Sequence, residues 1–188
     1  MINLKEAVFV AFDFETTGLS PYKGDRIIEI AAVPIYENKI KYDYIFQSLV
    51  NPEIKIPAQV SSYHKLNNSD IDTAPLLTDI MPKFKNYISN SVLISHNVEM
   101  DLNFLDIAAK ESGIYSVDNY YLDTLEISRF FIKNGPYNLE SLSKKLKLGK
   151  FIPHRARDDA IITAKLFLKL VKKFSMSQMQ DFLKKWRG

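Results

Sequence analysis

Apolar and polar positions change rhythm several times along the 188-residue chain. An unbroken apolar run, "AVFVAF" (Ala7–Phe12), predicts a buried strand. Arg26–Tyr36 and Ile40–Val50 read as two more strands, joined by a hairpin-type turn at "YENK" (Tyr36–Lys39). A loop with Pro52 and Pro57 follows, and helical periodicity begins near Leu76. "SVLISH" (Ser91–His96) reads as another buried strand, with Asn97 capping a helix that runs to about Glu111. "NYYLDT" (Asn119–Thr124) is a further strand end. Leu125–Ile132, Leu139–Leu146, Asp158–Phe174 and Ser177–Trp186 read as helices. Hairpin strands followed by alternating strands and helices predict an α/β fold, a mixed five-stranded sheet flanked by helices. No internal repeat, low-complexity tract or linker interrupts it, so the expectation is a single domain over residues 1–188.

Acidic residues stand at unusual places in this pattern. In "FDFETTGL" (Phe12–Leu19), Asp13 and Glu15 follow the first apolar run two residues apart. Strand side chains alternate faces, so the two carboxylates point the same way. Like charges at the end of a core strand repel and cost desolvation, which calls for a cation nearby. In "SHNVEMDLNFL", Asp101 lies one turn into a helix, with Val98, Leu102 and Leu105 on its side. In "HRARDDA", His154, Asp158 and Asp159 open the basic last helix region. Strand ends and helix starts of this kind converge at one edge of an α/β sheet.

Composition narrows the chemistry. The chain has no cysteine, which excludes a disulfide framework, a thiolate metal site and a thiol nucleophile. No apolar run reaches the roughly 18 residues of a membrane span. Acidic residues within the first 15 positions are unlike a signal peptide, and a cytoplasmic setting without membrane contact is expected. The net charge of +3 is uneven: Lys144–Gly188 holds 13 Lys/Arg against 3 Asp/Glu. A basic quarter beside an acidic body suits a metal site next to a phosphate-binding surface. Lys165, Lys169, Lys172 and Lys173, opposite Phe167, Leu170 and Phe174, equally fit a solvated helix face.

Together, "DFETTGL", "SHNVEMDLNFL" and "HRARDDA" resemble the three motifs of the DEDDh 3′–5′ exonucleases. The resemblance is closest to the proofreading (epsilon) subunit or domain of bacterial DNA polymerase III and runs from about Val8 to Leu170. "NPEIKIP", His64 and "YNLESLSKKLKL" also match. The resemblance implies a ribonuclease-H-like fold, metal ligands at Asp13, Glu15, Asp101 and Asp159, and a general base at His154. It places Thr16 against the terminal nucleotide, Leu19 as a wedge at the bases, and Gln59 and His64 facing the nucleotide. A plain loop role for His64 stays open. His96 and Asn97 read as supports of the second-motif turn, and Asp123 matches no motif ligand. The family's Phe before the second-motif Asp is Met100 here, and its His-Gly-Ile is His64-Lys65-Leu66.

Hard oxygen ligands favour two divalent cations, Mg²⁺ or Mn²⁺, over Zn²⁺. Two such ions can hold the attacking and leaving oxygens of an in-line displacement. An imidazole with a pKa of about 6.5 suits proton abstraction from water. The expected activity is release of 5′-mononucleotides from the single-stranded 3′ end of DNA in proofreading or repair, with a DNA polymerase catalytic subunit as a candidate partner. An exoribonuclease or oligoribonuclease acting on RNA, and a non-catalytic nucleic-acid-binding or polymerase-associated module, are the alternatives. Helical spacing from His154 favours Asp158 as its companion, at i, i+4. A loop at "HRAR" frees His154 from that register, and the family pattern then selects Asp159.

Overall fold

The computed structural model describes residue 4 and residues 6–186, apart from residues 116, 151 and 174. In chain order the elements are β1 (Phe9–Thr16), β2 (Ile27–Tyr36), β3 (Lys39–Ile40), β4 (Phe46–Leu49), α1 (Ala58–His64), α2 (Asn68–Ile71), α3 (Leu77–Ile88) and β5 (Val92–Ser95). They continue as α4 (Val98–Glu111), β6 (Tyr120–Asp123), α5 (Thr124–Phe131), α6 (Leu139–Leu146), α7 (Ala156–Val171), α8 (Met176–Phe182) and β7 (Lys184–Lys185). The strands form one mixed sheet in the order β3-β2-β1-β5-β6-β7, with β4 also paired to β2. β1 is antiparallel to β2 and parallel to β5, and β5 is parallel to β6.

Among the described residues the sheet has seven strands rather than the five expected. The segment Ile40–Val50 does not form one strand. A 3₁₀ turn at Tyr42–Tyr44 splits it into β3 and β4, which pair successively along β2. The helix expected over Ser177–Trp186 ends at Phe182, and β7 then pairs antiparallel with β6. Two short helices, α1 and α2, occupy what the prolines suggested was loop. Pro57 is the N-cap of α1 rather than a breaker. Phe174, the last residue expected in α7, lies outside the described residues. The hairpin at Tyr36–Lys39 forms as expected: Glu37 and Asn38 adopt φ of 52° and 57°, as a two-residue type I′ turn requires.

Alternation along the strands builds the two faces. On β1, Val10, Phe12 and Phe14 pack with α3 and α4 residues such as Phe84, Leu102 and Leu105. Phe9 and Ala11 face the other way, into a core made with Ile127, Leu142 and the α7 residues Ala160, Phe167 and Leu170. On β2, Ala31, Val33 and Ile35 share that α7 side. Asp13 and Glu15 extend the row Phe9–Ala11, and Glu29 extends the row Ile35–Val33–Ala31. Period-2 geometry therefore delivers all three acids to the face that α7 covers.

Helix α7 approaches this face through small residues. Ala156, Ala160 and Ala164, at i, i+4 and i+8, are fully buried in the same cluster as Ala11 and Ala31. Their spacing makes a narrow stripe that lets helix and sheet backbones come close. Ala160→Leu is therefore expected to overpack this contact and cost about 1–3 kcal/mol of stability. Urea unfolding checks this; an unchanged midpoint would mean that α7 does not rest on its alanine stripe.

Candidate active site

Strand β1 runs further than the apolar run suggested. It continues through the acidic pair to Thr16, with a register shift between Glu15 and Thr16 where it leaves β2. Asp159 comes down from the first turns of α7 onto the same face. Asp13, Glu15 and Asp159 each offer a carboxylate oxygen, and these atoms all lie within 4.8 Å of one another. Three hard oxygen donors at this spacing fit a divalent cation of the Mg²⁺ or Mn²⁺ type.

Asp101 stands beside this trio rather than within it. It lies in the first turn of α4, is 4% exposed, and accepts a 2.5 Å hydrogen bond from the Ser95 hydroxyl. The Phe14 N–H also donates to it. Its charge nonetheless bears on Asp13 more than that of any other neighbour. Burial is the first cause of raised pKa values in all four acids. Glu15 is pushed up to about 8, Asp101 to about 7 and Asp159 to about 6. Asp13 lies well above the ordinary carboxylate range, through burial and then the charges of Asp101, Asp159 and Glu15.

The segment before α7 is tied to Asp159. Its Oδ2 accepts from the His154 N–H at 2.8 Å and from the Arg155 N–H at 3.2 Å. Asp158 turns away and accepts from the Ile152 N–H at 3.3 Å. The helix begins at Ala156, so His154 stands outside it, in a left-handed conformation with φ of 63°. The exposed imidazole of His154 meets the Tyr63 ring edge to face, with centroids 6.0 Å apart.

Glu29 is the residue that sequence reasoning missed. It is cross-strand partner to Glu15 and fully buried. Arg155 grips it with two hydrogen bonds, Nε to Oε2 at 3.1 Å and Nη2 to Oε1 at 3.0 Å. The Ala156 N–H and the Gln47 amide also donate to it, at 3.2 and 2.9 Å. A lone charge inside the apolar run "IIEIAAV", followed far along the chain by a basic "HRAR", is the available signal.

The residues expected at the nucleotide are more scattered. Leu19 is 81% exposed, free to meet a ligand. Thr16 is buried, and its hydroxyl donates to the Gly18 carbonyl at 2.6 Å. A Cβ at Gly18 would stand 2.3 Å from the Asp25 carboxyl carbon, so the glycine lets that side chain pack against the turn. Gln59 is exposed on α1. His64 is the last residue of α1, not a loop residue, and only 2% exposed. Its Nδ1 accepts from the Leu66 N–H at 3.0 Å, while Nε2 has no partner among the described residues; burial lowers its pKa. Lys65 sits at φ 63°, which accounts for glycine in the family's pattern at this position.

The second-motif turn is held by side chains around it. His96 Nε2 donates to the Tyr137 carbonyl at 2.8 Å, and Nδ1 lies 2.9 Å from the Thr124 hydroxyl. Asn97 occupies the N-cap position of α4 in a left-handed conformation, φ 73°, but its side chain makes no capping bond. Asp123 does the fastening. Its Oδ1 accepts from the Asn97 N–H at 3.0 Å and from the Leu125 N–H at 2.8 Å, capping α5 and pinning the entry to α4.

A mixed α/β sheet with carboxylates gathered at the end of its central strand is the ribonuclease-H-like arrangement of exonucleases. The chain belongs to the Exonuclease (RNase_T) family, whose profile matches residues 10–167. It is 39% identical over 171 residues to a PolC-type DNA polymerase III of Caldanaerobacter subterraneus subsp. tengcongensis, covering 89% of this chain and 12% of that protein. It is 34% identical over 166 residues to the 3′–5′ exonuclease DinG of Bacillus subtilis, covering 88% of this chain and 18% of that protein. The chain thus spans less than a fifth of either relative. Its fold is similar to that of exonuclease X in complex with 5′ overhanging duplex DNA, with a TM-score of 0.74 and 24% identity over 93% of this chain and 98% of that one.

The raised pKa values give a direction to pH dependence. These acids hold protons more tightly folded than unfolded, so the folded state binds more protons between about pH 4, the usual unfolded value, and about pH 8. Their contribution to metal-free stability is then full below that window and is lost as pH rises through it. Divalent cations should offset that loss and bind more tightly as pH rises. Thermal unfolding in EDTA and in Mn²⁺ across pH 5–8.5 checks this; a rise in metal-free stability over that range would contradict it.

Proposed function

We propose that this chain is a metal-dependent 3′–5′ exonuclease domain, acting over residues 1–188 as one unit and releasing 5′-mononucleotides from single-stranded 3′ ends of DNA. The observation that carries the reading is the trio Asp13, Glu15 and Asp159 within 4.8 Å, bonded through Asp159 to the segment that presents His154. Divalent cations bound at these acids would neutralise the scissile phosphate and lower the pKa of the attacking water. Asp13, Glu15 and Asp159 are the ligands, with Asp101 completing the set from beside them. His154, exposed and outside the helix, takes the proton from the attacking water. Leu19 and Gln59, both exposed, meet the terminal nucleotide, whereas Thr16 and His64, expected there too, are buried.

A proofreading or repair role, in the cytoplasm and alongside a polymerase catalytic subunit, is supported by the PolC-type DNA polymerase III relative. Among the described residues no helix is long and apolar enough to cross a membrane. Matched DNA and RNA single strands with labelled 5′ ends test the substrate. Stepwise shortening from the 3′ end, stopped by EDTA and restored by Mg²⁺ or Mn²⁺, is expected, with DNA degraded faster. Full activity in EDTA would overturn the reading, and faster loss of RNA would make the protein an exoribonuclease.

Single substitutions separate the roles. Asp159→Asn should abolish cleavage and weaken metal binding, whereas Asp158→Asn should retain most activity. His154→Ala should lose roughly 10²–10⁴-fold in rate with metal binding intact. Steady-state kinetics with a Mn²⁺ titration checks all three. The reverse ranking of the aspartates would move the ligand to Asp158.

A further inference from the structure

We infer that the Glu29–Arg155 pair, its carboxylate buried and its guanidinium partly exposed, is a positioning device for His154, built into the sheet rather than into the loop. The inference rests on the proposed role of His154 as general base. His154 itself has little to hold it: its ring is exposed and touches the exposed Tyr63. What is held is the backbone around it. The His154 and Arg155 N–H groups donate to Asp159, and the Ala156 N–H donates to Glu29. Three successive amides are thus fixed to two buried acids. The Arg155 guanidinium then adds two hydrogen bonds to the same Glu29, which is locked in β2 directly opposite Glu15.

The geometry points to positioning rather than metal binding for Glu29. Four donors converge on its two oxygens, from Arg155, Ala156 and Gln47. A carboxylate so occupied has no free lone pair directed at a cation, and it stands outside the trio whose oxygens cluster. A planar guanidinium also fixes direction as well as distance, which a lysine ammonium cannot do. Arg155 is adjacent to His154, so a rotation of its backbone carries the imidazole with it. The pair thereby references the base to β2, the strand beside the one that carries Asp13 and Glu15.

A double-mutant cycle tests this. Arg155→Gln should lower kcat by roughly 10–100-fold, the usual cost of removing an orienting partner. KM and the Mn²⁺ affinity, read by metal-dependent thermal shift, should change little. In a His154→Ala background the same substitution should cost under about 2-fold, because there is no base left to misplace. The pH–rate limb lost in His154→Ala should also be weakened in Arg155→Gln. Arg155→Lys keeps a cation on buried Glu29, so it remains folded if Arg155→Gln does not, and it should show a smaller loss with the same dependence on His154. Equal losses in both backgrounds, or a matching loss of Mn²⁺ affinity, would overturn the inference and make the pair purely structural. If His154→Ala itself left the rate unchanged, the proposed base would fail instead.

Discussion

Asp13, Glu15, Asp159 and Glu29 all meet on the face of the sheet that α7 covers. Their mutual repulsion under that helix is the constraint that the surrounding structure answers. At an effective dielectric near 20, two unit charges at the 4.8 Å limit of the trio repel by on the order of 3 kcal/mol. The protein meets this in two ways. Glu29 receives a permanent counter-charge from Arg155 and backbone donors. The other three retain protons at higher pH than ordinary carboxyls, because burial and then the charges of neighbouring carboxylates favour the neutral form. One acid is thus neutralised by protein, and the rest are left for something that arrives from solution.

The same constraint explains the architecture of α7. A helix bearing one acid of the cluster must come close to the strand that bears the other two, and the alanine stripe allows it. Its first turn is not capped by its N-cap residue, Arg155, whose side chain goes elsewhere. Asp159 reaches back to the amides before the helix instead, so one carboxylate both organises the helix entrance and belongs to the cluster. Asp123 plays the corresponding role at α4 and α5, joining two helix starts through one oxygen.

Much of this was legible from the chain, for identifiable reasons. Asp13 and Glu15 stand out because acids seldom continue a buried apolar row, and His154 reads as pre-helical because Pro153 precedes it. The hairpin at Glu37–Asn38 follows from turn chemistry. Glu29 was hidden because its meaning depends on pairing across a connection of ten residues between β1 and β2, which sets a register that no local pattern encodes. Helices α1 and α2, of seven and four residues, are too short to display a period, and Pro57 masked the first of them. Strand β7, two residues long, has no period at all. His64 left two readings open, nucleotide contact or plain loop, because the short helix that it ends shows no period in the sequence.

The margins of the sheet bear on how the protein behaves at high concentration. Exposed strand edges are templates for pairing with other chains. On one side, the ladder along β2 is interrupted between β3 and β4 by the Tyr42–Tyr44 turn. On the other, β6 is covered by only two residues, Lys184 and Lys185, whose ammonium groups pair with Glu126 and Asp118. An incoming strand would meet a ladder two residues long and would have to strip two ion pairs to extend it. Both borders therefore resist strand addition, and the long central strands remain rigid without becoming a seed for aggregation.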